Sequence, residues 1–157
     1  MGTPLKTVKR VPWSRLQDSN GPASAAIPAL LNLVAWGNAA AAESALHDLR
    51  ERVCQYGFVV QEATTATVPF LWELVQAPHI TCRADVLTLL KDIYEARQWE
   101  DLVSAGPAPR GYEDRVRWER DAREAVRAGI AAAQALRGDP DTVIARAAAE
   151  LAQALAA

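Results

Sequence analysis

Hydrophobic positions recur along the chain at spacings of three and four residues. Charged and small polar residues fill the gaps. That period belongs to an amphipathic helix. The pattern predicts six helices. The first covers about Ala23–Ala35, with Ala23, Ile27, Leu30, Leu31 and Val34 on one face. The second runs from Ala39 to Tyr56 on Ala42, Ala45, Leu46, Leu49, Val53 and Tyr56, and Gly57 supplies its stop. The third spans Glu62–Val75 and the fourth Thr81–Trp99, with Val86, Leu89, Leu90, Ile93 and Tyr94 as the buried stripe of the fourth. The fifth extends from Glu113 to Leu136, charged in its first half and small and apolar in its second. The sixth covers Asp141–Ala156, with Ile144, Ala147, Ala148, Leu151 and Leu155 inward. Gly106-Pro107-Ala108-Pro109-Arg110-Gly111 marks a loop within 100–112, and Gly138-Asp139-Pro140-Asp141 a helix stop followed by a new start. Residues 1–20, punctuated by Pro4, Pro12 and Gln17-Asp18-Ser19-Asn20, read as an irregular N-terminal segment. Residues 21–157 form one domain.

Two stretches repeat. Ala26-Ile27-Pro28-Ala29-Leu30-Leu31-Asn32-Leu33 and Ala66-Thr67-Val68-Pro69-Phe70-Leu71-Trp72-Glu73-Leu74 both read as a small residue, a β-branched apolar residue and a proline, then a helical run ending on Leu. The prolines are 41 residues apart. Either each proline kinks a helix from within, or each opens one in its first turn. The kinked reading is preferred, because Ala63, Ala66, Phe70, Leu71 and Leu74 keep one period across Pro69. Six helices then pair into three antiparallel hairpins. A hairpin cannot bury its apolar face alone, so hairpins stack.

These residues resemble a known family. Ile27-Pro28-Ala29-Leu30-Leu31, Gln55-Tyr56-Gly57 with Ala63 to Leu71, and Asp139-Pro140-Asp141-Thr142-Val143-Ile144-Ala145-Arg146-Ala147-Ala148 are similar to bacterial HEAT-repeat proteins of the phycobilisome-lyase type. The 41-residue period fits such repeats, which run about 40–47 residues. The likeness covers about residues 20–156. It implies an all-α class, an α-solenoid of about three HEAT-like hairpins. Arg146 falls later than the usual arginine after the valine, and the long charged fifth helix also departs from the pattern. The lyase in the family's name concerns its repeats and implies no bilin chemistry here.

Composition narrows the function classes. Ala supplies 32 of the 157 residues, and there are only two Phe and three Tyr, which suits closely packed helices. Charges interrupt every apolar run well before the roughly 18 residues that a membrane span needs. Lys6, Lys9 and Arg10 are not followed by the apolar core of a signal peptide, so a cytoplasmic protein is expected, with no membrane among its partners. The net charge of −2 does not suggest nucleic acid. Cys54 and Cys82 sit in apolar surroundings and read as buried free thiols.

No stretch carries enzyme chemistry: there is no phosphate-binding glycine loop, no nucleophile elbow and no zinc-protease helix motif. His79 and Cys82 are three apart, but His47 and Cys54 lie a helix away, so neither a metal nor any other cofactor is expected. No carboxylate stands out as a general acid or base. The expectation is a non-catalytic protein-binding module, with an immunity or regulatory protein as its specific form. In the family that the sequence resembles, second helices line a shallow concave surface. That implies His47, Arg50, Glu51, Thr88, Lys91 and Glu95 as the partner-binding residues. The alternative is a nucleic-acid-binding or base-processing domain using Arg115, Arg117, Arg120, Arg123 and Arg127, although acids interleave with these arginines and weaken any positive field. A third reading docks the Ala-rich last helices onto a larger assembly. Trp72 and Trp99 are expected in the core or between hairpins. An exposed Trp36 or Trp118 would point to a partner site.

Overall fold

The computed structural model describes residues 3–23 and 25–157. It is dominated by helices: α1 (Ala26–Trp36), α2 (Ala39–Val53), α3 (Glu62–Val75), α4 (Arg83–Glu95), α5 (Gln98–Ala105), α6 (Tyr112–Arg127), α7 (Ile130–Leu136) and α8 (Thr142–Ala156). The strands among the described residues are two antiparallel pairs of two residues each, β1 (Gln17–Asp18) with β2 (Gly21–Pro22) and β3 (Cys54–Gln55) with β4 (Val59–Val60). The class is therefore all-α.

Local chemistry explains where the helices begin and end. Pro28 occupies the first turn of α1, where its missing N–H costs nothing. Pro69, by contrast, lies inside a continuous α3 with its ring exposed. Pro69 thus sits within a helix, as the preferred reading has it, whereas Pro28 falls in a first turn. The Asn38 side chain accepts the Ala41 N–H at 2.8 Å and caps α2. At the far end α2 stops at Val53 rather than Tyr56, because the chain turns into the β3–β4 hairpin. Tyr56 and Gly57 both take positive φ in that turn, so Gly57 serves a hairpin and not a helix stop. Asp141 accepts the Val143 N–H at 2.9 Å and starts α8 where the sequence places it.

Two predicted helices are each divided. The fourth ends at Glu95 and the chain restarts at α5, which occupies part of the expected loop. The fifth is interrupted around Gly129, between α6 and α7. Gly129 is pressed against the Trp72 indole, and a Cβ there would fall 2.1 Å from a ring carbon. The second break lies at this contact across the fold, which helical periodicity does not record.

α1 packs on α2, α3 on α4 and α6, α4 on α6 and α8, and α7 on α8. Ile27, Leu31, Leu49, Leu71, Leu74, Leu87, Leu90 and Leu151 are fully enclosed at the centre. Arg83 joins three elements: its Nε donates to the Val75 carbonyl at 2.8 Å, and its Nη2 lies 3.4 Å from Asp139 in the turn before α8.

The N-terminal arm, irregular in expectation, consists of short 3-10 turns and the β1–β2 pair, and it is fastened to the helices. Leu5, Val8 and Trp13 are buried, and Trp13 packs on Phe70 of α3. The Leu5 N–H donates to Glu73, the Gln17 N–H to Glu62, and Arg52 pairs with the enclosed Asp18 at 2.9 Å.

Candidate functional site

The six residues expected to meet a partner fall on α2 and α4, helices that an ion pair links. Arg50 of α2 reaches Asp92 of α4, with Nη1 2.6 Å from Oδ2. His47, Thr88 and Glu95 are exposed, while Arg50, Glu51 and Lys91 are half-buried. Periodicity explains the placement, since Leu46, Leu49 and Val53 turn inward on α2 and Leu87, Leu90 and Ile93 on α4. Not all six are free to bind. The Arg50 guanidinium is held by Asp92, Lys91 sits 3.7 Å from Glu95, and the Thr88 hydroxyl donates to the Ala84 carbonyl of its own helix. Arg50 is thus a tie between helices. His47, Glu51, Thr88, Lys91 and Glu95 form the surface around it.

The arginines of α6 are mostly engaged within the molecule. Arg123 donates to Glu100 at 2.9 Å, and Arg117 to Asp114 at 2.8 Å. Arg127 donates to the Tyr94 hydroxyl and lies over its ring. The Arg115 guanidinium carbon is 4.8 Å from the Trp99 ring centre and 5.4 Å from that of Trp118. Among the described residues only Arg120 of this set has no such contact. Glu119 does not belong to the solvated face at all. It is 1% exposed, and its two oxygens accept the Trp99 and Glu100 N–H groups at 2.9 and 3.0 Å. A carboxylate from α6 thereby caps the start of α5. Burial pushes the Glu119 carboxyl above its usual range, more strongly than the two N–H donors pull it down. Burial acts the same way on Glu100, but there the bonds and charges of Arg123 and Arg97 prevail and hold it below its usual range.

Trp36, the last residue of α1, is 55% exposed. Its ring stacks on His79, with centres 4.7 Å apart and planes 16° from parallel. His79 Nε2 lies 3.1 Å from the Ala35 carbonyl. That oxygen can only accept, so Nε2 carries the hydrogen. His79 therefore holds an aromatic platform, and Cys82 is buried at the start of α4. Cys54 and Cys82 are both free and buried as expected, and burial raises the Cys54 thiol to about 12. Among the described residues no group of three or more His, Cys, Asp or Glu could hold a metal ion. Trp72 lies in the core, Trp99 is half-buried at the α5–α6 contact, and Trp118 is half-buried beside Arg115.

The sequence matches no family model, no curated protein and no solved structure. No helix among the described residues is long and apolar enough to cross a membrane.

Proposed function

We propose that the chain is a non-catalytic recognition module that presents stacked helical hairpins to a protein partner. The arrangement of the long helices is the observation that carries this reading. α1 packs on α2, α3 on α4, and α7 on α8, which we read as three successive hairpins. α3 packs on α6 and α4 on α8, as first and second helices of stacked repeats do. That pattern supports a HEAT-like solenoid, with α2, α4 and α8 as its second helices, of which α4 and α8 pack side by side. Arg50–Asp92 ties the first two of these together. The surface between His47 and Glu95 is then the presented face. An immunity or regulatory protein that blocks its partner is the specific form.

The nucleic-acid alternative has less support, because four of the five α6 arginines already have intramolecular partners. Affinity capture from the source lysate, with and without nuclease, tests the reading when each captured protein is then rebuilt as a purified pair. A complex that survives nuclease and weakens at least about tenfold with the double variant His47→Glu/Lys91→Ala, which sets no carboxylate against Glu95, is the expected result. Capture that vanishes with nuclease overturns it. Arg50→Glu is the wrong probe, since it would set two carboxylates against each other at Asp92.

A further inference from the structure

The C-terminal ends of α1 and α3 meet under the N-terminal arm, and between them lies a pocket of about 510 Å³. This is within the range of about 300–1,000 Å³ usual for ligand pockets. Pro4, Trp36, Glu73, Gln76, Pro78 and His79 line it. Leu5, in the left-handed region at φ 70°, turns the arm across its edge and donates its N–H to Glu73 Oε1 at 2.9 Å.

Every electrostatic feature of the pocket favours a cation. Glu73 is its one carboxylate, and neither Lys nor Arg lines it. Among the described residues Glu73 forms no ion pair, and the hydrogen bond it accepts there comes from the neutral Leu5 N–H. Trp36 closes α1 and Gln76 caps α3, so two helix C-termini add partial negative charge. The exposed Trp36 ring, fixed in orientation by His79, offers a π face. Pro4 and Pro78 supply apolar wall for a methylene stem.

We infer that this pocket receives an arginine side chain of the protein partner, with the guanidinium paired to Glu73 and lying against Trp36. Arginine fits better than lysine because its planar fork pairs with a carboxylate while its face stacks on an aromatic ring. The molecule already uses that stacking chemistry where Arg115 lies over Trp99. The inference rests on the protein-recognition reading and adds the chemistry of one contact, on a surface separate from His47–Glu95.

The test is a titration of the ¹⁵N-labelled full chain with N-acetyl-arginine methylamide, read at the Trp36 indole N–H resonance. N-acetyl-citrulline methylamide is the neutral control. A saturable shift with the arginine amide and none with citrulline is expected. Glu73→Gln keeps an acceptor for the Leu5 N–H and should weaken binding at least about tenfold, the size of one lost charge-assisted pair. Trp36→Leu, at an exposed position, is the second variant and is read at His79; it should weaken binding to a similar degree. Equal shifts with citrulline, or binding unchanged in both variants, overturn the inference. If the arginine amide fails while the His47/Lys91-dependent complex persists, only the pocket assignment falls. If the amide binds but no protein complex can be rebuilt, the assignment to a partner's arginine falls together with the recognition reading.

Discussion

The pair α3–α4 and the pair α5–α6 are built on opposite principles. α3 and α4 meet through enclosed hydrocarbon, with Val68, Leu71, Leu74, Val86, Leu87, Leu89, Leu90 and Ile93 at or near zero exposure. α5 has no buried residue, and it is held on α6 by a buried carboxylate, an ion pair and an arginine beside two indoles. Hydrocarbon burial is non-directional and roughly additive with area, so the first pair should tolerate rearrangement but not loss of volume. The polar tie is directional. It is costly if half-satisfied and holds only the element it touches.

Leu71→Ala tests the first half of that contrast and should give the largest effect. Leu71 is fully enclosed in α3, so truncation removes transfer energy and leaves a cavity, at about 2–5 kcal/mol. Urea unfolding should show one cooperative transition moved to lower denaturant, with fluorescence and circular dichroism coincident. Two separated transitions would mean that the hairpins unfold independently and that no common core joins them.

Glu119→Ala should cost less and act locally. It leaves the Trp99 and Glu100 N–H groups without their acceptor, a loss of about 1–3 kcal/mol. Hydrogen exchange should show protection lost over Gln98–Ala105 and kept in α3 and α4. Glu119→Gln sharpens the point through pH. The folded Glu119 carboxyl is raised above its unfolded value of about 4.3, chiefly by burial, so the folded state holds the proton more tightly. Its stabilising share is complete below the unfolded value and is lost as pH rises through the folded one. The wild type should therefore lose stability relative to Glu119→Gln as pH rises above about 4. Glu100, held low by Arg123 and Arg97, has the opposite sign: its share is present above its unfolded value and fades as pH falls through the folded one. A wild-type advantage that grows with pH would show that the ionised, double-acceptor form of Glu119 is the favoured one.

The same contrast explains how much was legible beforehand. The apolar stripes of α1 to α4 and α8 are periodic, and periodicity located those helices. α3 fell at its observed limits and Asp141 at the observed cap. The exposed Trp36 was legible as a class of signal, but its companions were not. Glu73 and His79 are brought to it by the end of α3 and the turn after it, and Pro4 by the N-terminal arm. Glu119 lies among five acids and five arginines of one helix with nothing local to distinguish it. Its burial is decided by where Trp99 and Glu100 arrive, twenty residues away in the chain. Gly129 reads as an ordinary helix weakener until Trp72 is found against it. Ala supplies fifteen of the last 36 residues, so α7 and α8 present few large side chains by which to judge an inward face.

The smallest effect is expected at Arg120, and it is the most direct check on the reading of α6. Arg120→Glu reverses a charge on an exposed side chain with no intramolecular partner among the described residues, so stability should change within about 0.5 kcal/mol. Arg123→Glu, one turn on, sets a carboxylate against Glu100 next to the buried Glu119, and it should undo α5 much as Glu119→Ala does. Measured side by side by urea unfolding, the two reversals separate a solvated arginine from a structural one. If they cost the same, either the Glu100 pair contributes nothing or Arg120 has a role in the fold. If Arg120→Glu is neutral for stability but abolishes binding of a 20-base-pair duplex DNA at low salt, α6 becomes a nucleic-acid edge through its arginine that has no partner among the described residues. Neutral behaviour in both assays leaves α6 as a brace for α5, and recognition with the α2–α4 face and the Trp36 pocket.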